Sequence, residues 1–584
     1  MTTRKSGKQG RGTSILLALC AAILPAHAQL APPAPEAASG LTAKQLVVAT
    51  RQMVVAANPL AADAGLAMLA AGGSAVDAAI AVQLVLNLVE PQSSGVGGGA
   101  FLLHWNQKTR RIKSYDGRET APQSATPTQF LQADGTPMPF RLAVVNGPST
   151  GVPGLMRVLE IAHRTHGKLP WARLFEPAVK LADEGFAVSP RLHMLLTAEP
   201  SGAAAFDAAA KAYLFDADSK PWPVGHVLKN PAFAETLRSL AKAGAAGFYA
   251  GTIAADVVRA AAPNALTLDD LAAYRAKQRP PVCSTYRRHR ICGMGPPSSG
   301  ALTIGATLAL LEPFTLGPAP MTPRALHLIA EAEKLAFADR DQFIADPDVV
   351  PPPLGMLDRA YLAQRRALIA TGKAQTKAVA GTPPSLSNKR TGSDATAEAP
   401  GTSHISIVDA AGNAVAMTTT IEAAFGTHRM AAGFLLNNQL TDFSFRPVDA
   451  QGQPVANAIA PGKRPRSSMS PTFIFAPDGR LLAVLGSAGG SAIILHLVKT
   501  IVGIIDWHLD AQAAVDLATF GSRNGPFEIE NKLGGDLIGL QLALYGHKVV
   551  NSDAPSGLHV IVRRRDGSLE GGADPRREGV ARGN

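Results

Sequence analysis

The sequence changes character abruptly at Thr402. Residues 372–401 are rich in Gly, Pro, Ser, Thr and charge and contain no aromatic residue, which is typical of a flexible, exposed linker. From Thr402 the pattern alternates, so that Thr402, His404 and Ser406 would share one face of a strand. The segment 409–413, "DAAGN", then predicts a turn into a second strand. A β-hairpin therefore begins where a linker ends.

This junction has a chemical interpretation. A cut between Gly401 and Thr402 would give the threonine a free α-amine, whose reference pKa is near 8. Such an amine can act as the general base for the residue's own hydroxyl, the N-terminal threonine form of nucleophilic catalysis. Gly401 would leave the scissile carbonyl unshielded and would tolerate a strained backbone. On this pattern alone an ordinary linker-to-strand junction is the simpler interpretation.

The rest of the chain predicts a mixed, α+β domain. Hydrophobic residues make up 46% of the 584 residues, enough for a large core and unlike a disordered chain or a coiled coil. Residues 58–91 predict two Ala-rich buried helices broken at Gly72 and Gly73, and residues 323–344 predict another helix. The C-terminal third is richer in strands. The glycine loop near residue 97 precedes a strand and lacks a following Lys, which excludes a nucleotide-binding motif.

The first residues predict a targeting signal. A basic start and the apolar run "SILLALCAAIL" precede "AHA", which predicts a signal peptide over 1–28 and an exported, periplasmic or secreted protein. An uncleaved anchor or a lipoprotein signal at Cys20 are the alternatives. We expect a Pro/Ala-rich linker over 29–45, a large subunit over 46–401 whose last part is the flexible linker, and a small subunit over 402–584.

The charge does not indicate a nucleic-acid partner. The net charge is +11, but the basic residues are scattered and lack interleaved aromatic residues. No stretch after the signal predicts a membrane span.

Two cysteines, Cys283 and Cys292, would remain after export. They flank a predicted hairpin whose two-residue turn, at Arg287 and Arg288, would place the cysteines opposite each other in a non-hydrogen-bonded pair. An exported protein permits a disulfide there. Two free thiols are the alternative.

Nine sequence blocks, in order, resemble the gamma-glutamyltransferase family of N-terminal-nucleophile hydrolases. The blocks are "GGSAVDAAIAV", "GVGGGAF", "VPG", "PPSSG", "EAEKLAFADR", "LLNNQLTDFS", "RPRSSMSPT", "GSAGGS" and "ADPRREG". The resemblance implies a four-layered αββα sandwich built by both halves of an autocleaved precursor, which together form a heterodimer. It implies small-molecule substrates, glutathione and other γ-glutamyl compounds with amino acid or peptide acceptors, and no metal or organic cofactor.

The resemblance also implies catalytic residues. Thr402 matches the nucleophile, and Thr420 matches the threonine whose hydroxyl orients it. Gly489 and Gly490 match the pair of oxyanion-binding amides, which at a helix start would point towards negative charge. These glycines could instead simply begin a helix. His404, on the face of Thr402, is more simply structural, since the α-amine fills the role of base.

The substrate-binding residues follow from the same resemblance. Arg118, in "DGRETAP", matches the arginine that clamps the glutamyl α-carboxylate, helped by Ser467 and Ser468; bidentate recognition is the physical reason for an arginine. Read singly, Arg118 could be a solvated charge, and the two serines could belong to a turn before Pro471.

Three further positions, Glu422, Gln439 and Asp442, match the residues that hold the α-amino group. Asp442 supplies a fixed negative charge for an ammonium. Glu422 stands where many relatives have Asn and others Glu.

Two departures from the family's sequence pattern leave the identities of the acyl group and of the acceptor undecided. The segment 446–466, where a lid covers the site in relatives, has no aromatic residue, and Arg466 stands where an aliphatic residue is expected. The alternatives are therefore a glutaryl-type cephalosporin acylase of the same family and, ranked lower, an unprocessed, non-catalytic binder of γ-glutamyl peptides.

Overall fold

The structure, a computed structural model, describes residues 41–145, 148–263, 266–385, 391–394, 396, 401–530, 535–552 and 556–584. The predicted signal peptide over 1–28 and residues 29–40 of the predicted N-terminal linker lie outside the described residues.

Strands occur along the whole described chain. In chain order they are β1 (Val47–Ala49), β2 (Met53–Ala56), β3 (Gly99–Asn106), β4 (Arg111–Gly117), β5 (Phe186–Ala187), β6 (Val227–Leu228), β7 (Lys277–Arg279), β8 (Val282–Tyr286), β9 (His289–Gly293), β10 (Ser403–Val408), β11 (Ala414–Thr420), β12 (Met430–Ala431), β13 (Phe434–Leu435), β14 (Thr472–Phe475), β15 (Leu481–Gly486), β16 (Phe520–Gly521), β17 (Phe527–Glu530), β18 (Val549–Ser552), β19 (His559–Arg563), β20 (Leu569–Ala573) and β21 (Val580–Gly583).

Helices dominate the part of the chain before residue 402. They are α1 (Pro59–Ala70), α2 (Ala75–Val89), α3 (Phe140–Val145), α4 (Leu155–His166), α5 (Glu176–Glu184), α6 (Pro190–Thr197), α7 (Ala208–Leu214), α8 (Pro231–Ala243), α9 (Gly251–Ala261), α10 (Leu268–Ala273), α11 (Gly300–Leu311), α12 (Pro323–Phe343), α13 (Arg359–Arg366), α14 (Ile493–Ile505), α15 (Ala511–Asp516) and α16 (Gly535–Leu544). Short 3₁₀ helices lie at Trp171–Phe175, Gly202–Ala205, Ala245–Phe248, Leu354–Leu357, Gln439–Asp442 and Gly490–Ala492.

Two seven-stranded antiparallel sheets form the centre of the fold. The first has the order β1-β20-β19-β15-β14-β9-β8, and the second has the order β21-β2-β10-β11-β3-β4-β7. Both sheets contain strands from before and from after residue 402. In the second sheet β10 and β11 lie between β2 and β3, so neither predicted subunit contains a complete sheet.

Three apolar layers separate four layers of structure. One cluster lies between the two sheets and includes Val55, Trp105 and Phe473. A second packs α1, α2 and α4 on the outer face of the second sheet, and a third packs α11, α12 and α14 on the outer face of the first. The order helix, sheet, sheet, helix is the αββα sandwich, so the predicted fold class is confirmed.

The first two helices follow from local sequence. Asn58 and Ser74 cap α1 and α2 with their side chains, and Asp77 completes a capping box at the second helix. Gly72, at φ +86°, and Gly73 separate the helices, as predicted. Every residue of α2 is buried, because the helix packs against the sheet on one side and other helices on the rest.

The hairpin that begins after Thr402 also forms as predicted. β10 and β11 pair from Ser403 with Thr419 to Val408 with Ala414. Ile405 and Ile407 face the helices of the second sheet, whereas the opposite face of the strand points between the two sheets. The alternating pattern therefore places the residue before β10 at the edge of the buried centre of the sandwich.

The predicted linker differs from a uniformly exposed segment where the structure describes it. Ala378 and Asp394 are buried. The amides of Gln375 and Gly381 donate hydrogen bonds to the carboxylates of Glu331 and Asp339, at 3.0 and 2.8 Å. Composition correctly indicates that this segment has few hydrophobic residues. It cannot show that backbone amides of the segment donate hydrogen bonds to side chains of α12.

The cysteines lie opposite each other in the β8–β9 hairpin. Cys283 pairs with Cys292 in the register, and the two sulfur atoms are joined as a disulfide. Arg287 and Arg288 both have positive φ, +48° and +68°, which is the geometry of a tight two-residue turn.

Among the described residues, no helix combines the length and the apolar character needed to cross a membrane.

Candidate active site

A small cavity opens at the start of β10. It is lined by Arg118, Thr402, Thr420, Glu422, Gln439, Asp442, Ser467, Ser468, Met469, Gly490 and Ile493. All of the predicted catalytic and substrate-binding residues line it except Gly489, which directly precedes Gly490 in the chain. Residues from distant parts of the sequence thus meet at one place.

The peptide bond between Gly401 and Thr402 lies beside this cavity, which Thr402 lines and Gly401 does not, next to the end of β11. The hydroxyl of Thr420 donates a short hydrogen bond to the carbonyl oxygen of Gly401, and the amide of Glu422 donates to the Thr420 hydroxyl at 2.8 Å. A Cβ atom on Gly401 would lie 2.1 Å from the carbonyl oxygen of Glu422. Glycine therefore lets the two backbones approach closely, and a hydroxyl polarises the carbonyl that precedes Thr402.

The two glycines lie at the start of a helix. Gly489 and Gly490 have φ values of +134° and +55°, and they lead into the 3₁₀ turn and α14. The first amides of a helix have no acceptor within the helix, so they are available to an anion. A Cβ atom on Gly489 would lie 2.7 Å from the ring of His496. Both the backbone angles and this contact favour glycine here.

Arg118 and Asp442 form an ion pair in the cavity. Arg118 follows β4, and its Nη2 donates a short hydrogen bond to Oδ2 of Asp442 and another to the carbonyl oxygen of Arg466, at 2.9 Å. Gln439 donates to the same Oδ2 at 2.7 Å. A cation and an anion thus lie side by side, within reach of one ligand that carries both charges.

The neighbouring carboxyl of Glu119 contributes little charge. Its Oε2 is 3.7 Å from Nη1 of Arg118, without a hydrogen bond. Burial raises the pKa of Glu119 to about 8, so this carboxyl is mostly protonated at neutral pH. The charge of Arg118 is therefore balanced mainly by Asp442.

Glu422 is held by a residue that the sequence analysis missed. Nδ2 of Asn438 donates a short hydrogen bond to Oε2 of Glu422, and Oδ1 of Asn438 accepts from the amide of Ala423 at 2.9 Å. Glu422 has φ +82°, a strained conformation of the kind that concentrates at functional sites. Asn438 belongs to the block "LLNNQLTDFS". Its place in that block was the signal from which sequence analysis could have identified it as a site residue.

The two serines line the cavity but also have structural contacts. Oγ of Ser468 accepts from Arg340 at 2.7 Å, and Oγ of Ser467 accepts from the amide of Met469 at 3.2 Å. The carbonyl of Ser467 accepts from the amide of Ser299 at 2.7 Å. The serines therefore help to shape the loop as well as face the cavity, and Arg340 is a second residue that the sequence analysis missed.

Arg466, the unexpected basic residue, does not line the cavity. Its Nη2 lies 3.0 Å from Oδ2 of Asp394 and 3.8 Å from Oδ1 of Asp341. Asp394 belongs to the segment before the predicted cut. The positive charge of Arg466 is thus part of a buried ion pair outside the cavity, and it does not make the cavity more positive.

His404 is structural, as the sequence analysis favours. Its ring nitrogens lie 2.8 Å from Oγ1 of Thr418 and 3.1 Å from Oγ of Ser406. Burial holds the pKa of His404 well below its usual range. The ring is therefore neutral and lies between the sheets.

A buried cluster of His327, Glu331 and His547 has side chains of metal-binding types. However, Nδ1 of His327 lies 2.9 Å from Nε2 of His547, so the rings share a hydrogen bond, and Glu331 accepts from Lys334 at 2.8 Å. These contacts engage His327 and Glu331 of α12 with protein groups, whereas Nδ1 of His547 is buried without a hydrogen-bond partner among the described residues.

A larger cavity borders the segment 444–455. It is lined by Met138, Phe140 and Phe445 among others, and none of the predicted site residues belongs to it. The smaller, more polar cavity at Thr402 is the candidate active site because the reactive groups converge there.

Comparisons with known proteins agree with this site. The sequence matches the model of the family described as Gamma-glutamyltranspeptidase over residues 61–584. The chain is 36% identical over 563 residues to the glutathione hydrolase proenzyme of Escherichia coli K12, covering 94% of this chain and 95% of that protein. It is 33% identical over 565 residues to the acylase ACY 1 proenzyme of Pseudomonas sp. strain SE83, covering 94% and 96%.

Solved structures show the same architecture. The cephalosporin acylase from Bacillus halodurans matches with a TM-score of 0.81 and 27% identity, over 95% of this chain and 98% of that chain. Helicobacter pylori gamma-glutamyltranspeptidase matches with a TM-score of 0.51 and 28% identity, over 60% of this chain and 94% of that chain. The family match covers nearly the whole chain, so this protein belongs to the gamma-glutamyltranspeptidase family.

Proposed function

We propose that the protein is a gamma-glutamyltransferase and glutathione hydrolase that uses Thr402 as its nucleophile. The observation that carries this proposal is the buried pair of Arg118 and Asp442 in the cavity with Thr402. The γ-glutamyl group ends in an α-carboxylate and an α-ammonium on one carbon. A guanidinium beside a carboxylate complements both charges at once.

The α-carboxylate would bind Arg118, with the hydroxyls of Ser467 and Ser468 as further donors. The α-ammonium would bind Asp442, Gln439 and Glu422. Glu422 and Asp442 are each at most 8% exposed, so the attraction acts in a poorly solvated site. The γ-carbonyl would then point towards Thr402.

The first reaction is self-cleavage between Gly401 and Thr402. The Thr402 hydroxyl attacks the Gly401 carbonyl carbon, the peptide C–N bond breaks, and the hydroxyl proton passes to the Thr402 nitrogen. Water then hydrolyses the resulting ester, leaving a Gly401 carboxylate and a free Thr402 amine and hydroxyl. The hydrogen bond from Thr420 to the Gly401 carbonyl supports this step, because it stabilises charge that develops on that oxygen.

The second reaction is turnover. The Thr402 amine accepts the hydroxyl proton while the oxygen attacks the γ-amide carbonyl, and the amides of Gly489 and Gly490 bind the oxyanion. The amine of the departing group, such as the Cys-Gly part of glutathione, takes up the proton. Water, or the amine of an amino acid or peptide, releases the γ-glutamyl group from Thr402. In this release step the Thr402 amine accepts a proton from the attacking water or amine and returns it to the Thr402 oxygen as the ester bond breaks.

The assembly and location follow from the same proposal. Residues 46–401 and 402–584 would form the large and small subunits of a heterodimer. The N-terminal sequence would direct the protein out of the cytoplasm, to the periplasm or the medium. The proenzyme names of the relatives support processing in this family.

A glutaryl-specific acylase is the second candidate. It is favoured by the observation that Asp442 already has partners in Arg118 and Gln439, so the carboxylate would not be left alone by a ligand without an ammonium. An unprocessed binder of γ-glutamyl peptides ranks lower, because it gives no role to the hydrogen bond between Thr420 and Gly401.

The proposal is tested with Thr402→Ala and Thr402→Ser. The alanine variant should remain one chain on a denaturing gel and should not turn over a γ-glutamyl anilide, because one hydroxyl serves both reactions. The serine variant should retain part of each activity. Thr371→Ala, at an exposed threonine, is the matched control and should be cut and active.

Adding a dipeptide acceptor to the wild-type assay measures transfer against hydrolysis. Normal cleavage of Thr402→Ala would place the nucleophile elsewhere. A wild-type protein that remains a single intact chain would favour the binder.

A further inference from the structure

The guanidinium of Arg577 contacts the residue that carries the nucleophile. Its Nη1 donates to the main-chain carbonyl of Thr402 at 3.2 Å, and its Nε donates to the carbonyl of Ser556 at 3.0 Å. Arg577 is 2% exposed and lies in the C-terminal block "ADPRREG". Arg577 does not line the cavity, and the proposed reaction steps do not use its contact with Thr402.

Arg577 differs from its neighbour Arg576 in how its charge is balanced. Arg576 is bound directly by Glu530, at 2.6 Å, and by Asp574, at 3.2 Å. In the part of the chain that the structure describes, no carboxylate oxygen lies within 4.0 Å of the guanidinium of Arg577, which donates instead to two neutral carbonyls. A buried cation of this kind is costly to retain, and burial lowers its pKa to about 9.

The charge lies close to the amine that the cut would create. The nitrogen and carbonyl oxygen of one residue are within about 3.6 Å of each other. The Arg577 guanidinium, 3.2 Å from the Thr402 oxygen, is therefore within about 7 Å of the Thr402 nitrogen. At that range, and at the effective dielectric constant of a protein, a positive charge disfavours protonation of the amine by about one pH unit or more.

Other charged groups surround Thr402 on each side. In the cavity, Arg118 is paired with Asp442, and Glu422 accepts from Asn438. Behind β10, Glu90 accepts from Ser403 at 2.9 Å and lies 3.5 Å from Arg191. Glu578 accepts from the amide of Arg191 at 2.8 Å.

Two histidines, His404 and His559, are buried near this network, and burial lowers the pKa of both, so neither adds positive charge at neutral pH. The carboxylates around the amine would raise its pKa, and Arg577 opposes them from the side of the main chain.

We propose that Arg577 is a positioning residue that fixes the Thr402 carbonyl and keeps the new α-amine in its uncharged, proton-accepting form. The proposal rests on the proposed cut at Gly401–Thr402. It explains why a poorly compensated arginine is buried at this position, and it assigns a role to the end of the chain in making the base effective near neutral pH.

The test measures the amine directly, without substrate. The processed wild-type protein and Arg577→Gln are treated with cyanate over a range of pH, and carbamoylation of the Thr402 amine is followed by mass spectrometry of the small subunit. In Arg577→Gln the pH at which carbamoylation of the Thr402 amine is half-maximal should rise by about one unit. The acid limb of kcat/KM on a γ-glutamyl anilide should move with it. Arg565→Gln, at an exposed position, should leave both midpoints unchanged.

Arg577→Lys retains the charge and provides the second variant if Arg577→Gln does not fold or is not cut. Its midpoint should stay at the wild-type value. A midpoint raised by a pH unit in Arg577→Lys, or equal midpoints in wild type and Arg577→Gln, would overturn the role of Arg577 while leaving the proposed activity intact. A wild-type protein without a free Thr402 amine would overturn both proposals.

Discussion

Replacement of Asp442 by Asn tests how the cavity recognises the acyl group. A glutaryl group is a glutamyl group without its α-ammonium. If Asp442 binds that ammonium, the wild type should hydrolyse γ-glutamyl amides with a higher kcat/KM than glutaryl amides. The Asn side chain keeps the shape and can still accept from Gln439 and Arg118, so the main change is the loss of negative charge.

The structure sets the size of the expected preference. Asp442 Oδ2 already accepts from Arg118 and Gln439, so a glutaryl ligand would not leave this carboxylate without a partner. What the glutaryl ligand lacks is one charge-assisted hydrogen bond, which is worth about 1.5–3 kcal/mol. The wild type should therefore prefer the glutamyl amide by about 10- to 150-fold. Asp442→Asn should reduce this to a few-fold, mainly through the glutamyl substrate.

The assay compares kcat/KM for γ-glutamyl and glutaryl p-nitroanilide with the wild type and with Asp442→Asn. Asp218→Asn, at an exposed aspartate, is the control and should keep the wild-type ratio. Equal values for the two substrates in the wild type would favour the acylase. A ratio unchanged in Asp442→Asn would show that another group holds the ammonium.

Two further predictions concern the oxyanion site and the response to acid. Gly490→Val or Gly489→Ala should lower kcat by about 100-fold or more, because tilted amides no longer meet the oxyanion; processed, folded variants with wild-type rates would refute this. Burial lowers the pKa of His496 and His559 to about 3, so below pH 6.5 the unfolded chain binds more protons than the folded protein. Stability should be full above pH 6.5 and fall with pH, by about 2 kcal/mol for each histidine at pH 5. A melting temperature equal at pH 7.5 and pH 5 would contradict this.

The parts of the fold that are determined by residues close together in the sequence could be predicted from it. The break at Gly72 and Gly73 and the hairpin after Thr402 are examples, because turn chemistry and periodicity act over a few residues. The order of strands could not be predicted from pattern. The pairing of β2 with β21 joins segments near opposite ends of the chain, and periodicity does not encode such partners.

The candidate site, like the fold, could be predicted from the sequence only in part. The family blocks identified the residues that line the cavity, but not which of them contact each other. Arg118 and Asp442 are 324 residues apart and form an ion pair, so Asp442 has a partner even without a bound ammonium, which the sequence does not show. Asn438, Arg340 and Arg577 each lie in one of the family blocks, but membership of a block does not give a role, because amide and guanidinium groups show their role only through the atoms that they contact.

Because both sheets combine strands from the two predicted subunits, the proposed cut would be difficult to reverse once the protein unfolds. An intact chain brings β2, β10 and β3 together by loop closure within one molecule. A cut at Gly401–Thr402 leaves those pairings in place but removes the covalent connection. If the cut protein unfolds, its two pieces must find each other in solution, and the β10–β11 pair must insert between β2 and β3 of the other piece at a rate that depends on concentration. The uncut precursor is then the form that can fold as a single chain. The cut enzyme keeps that fold but would refold poorly once unfolded.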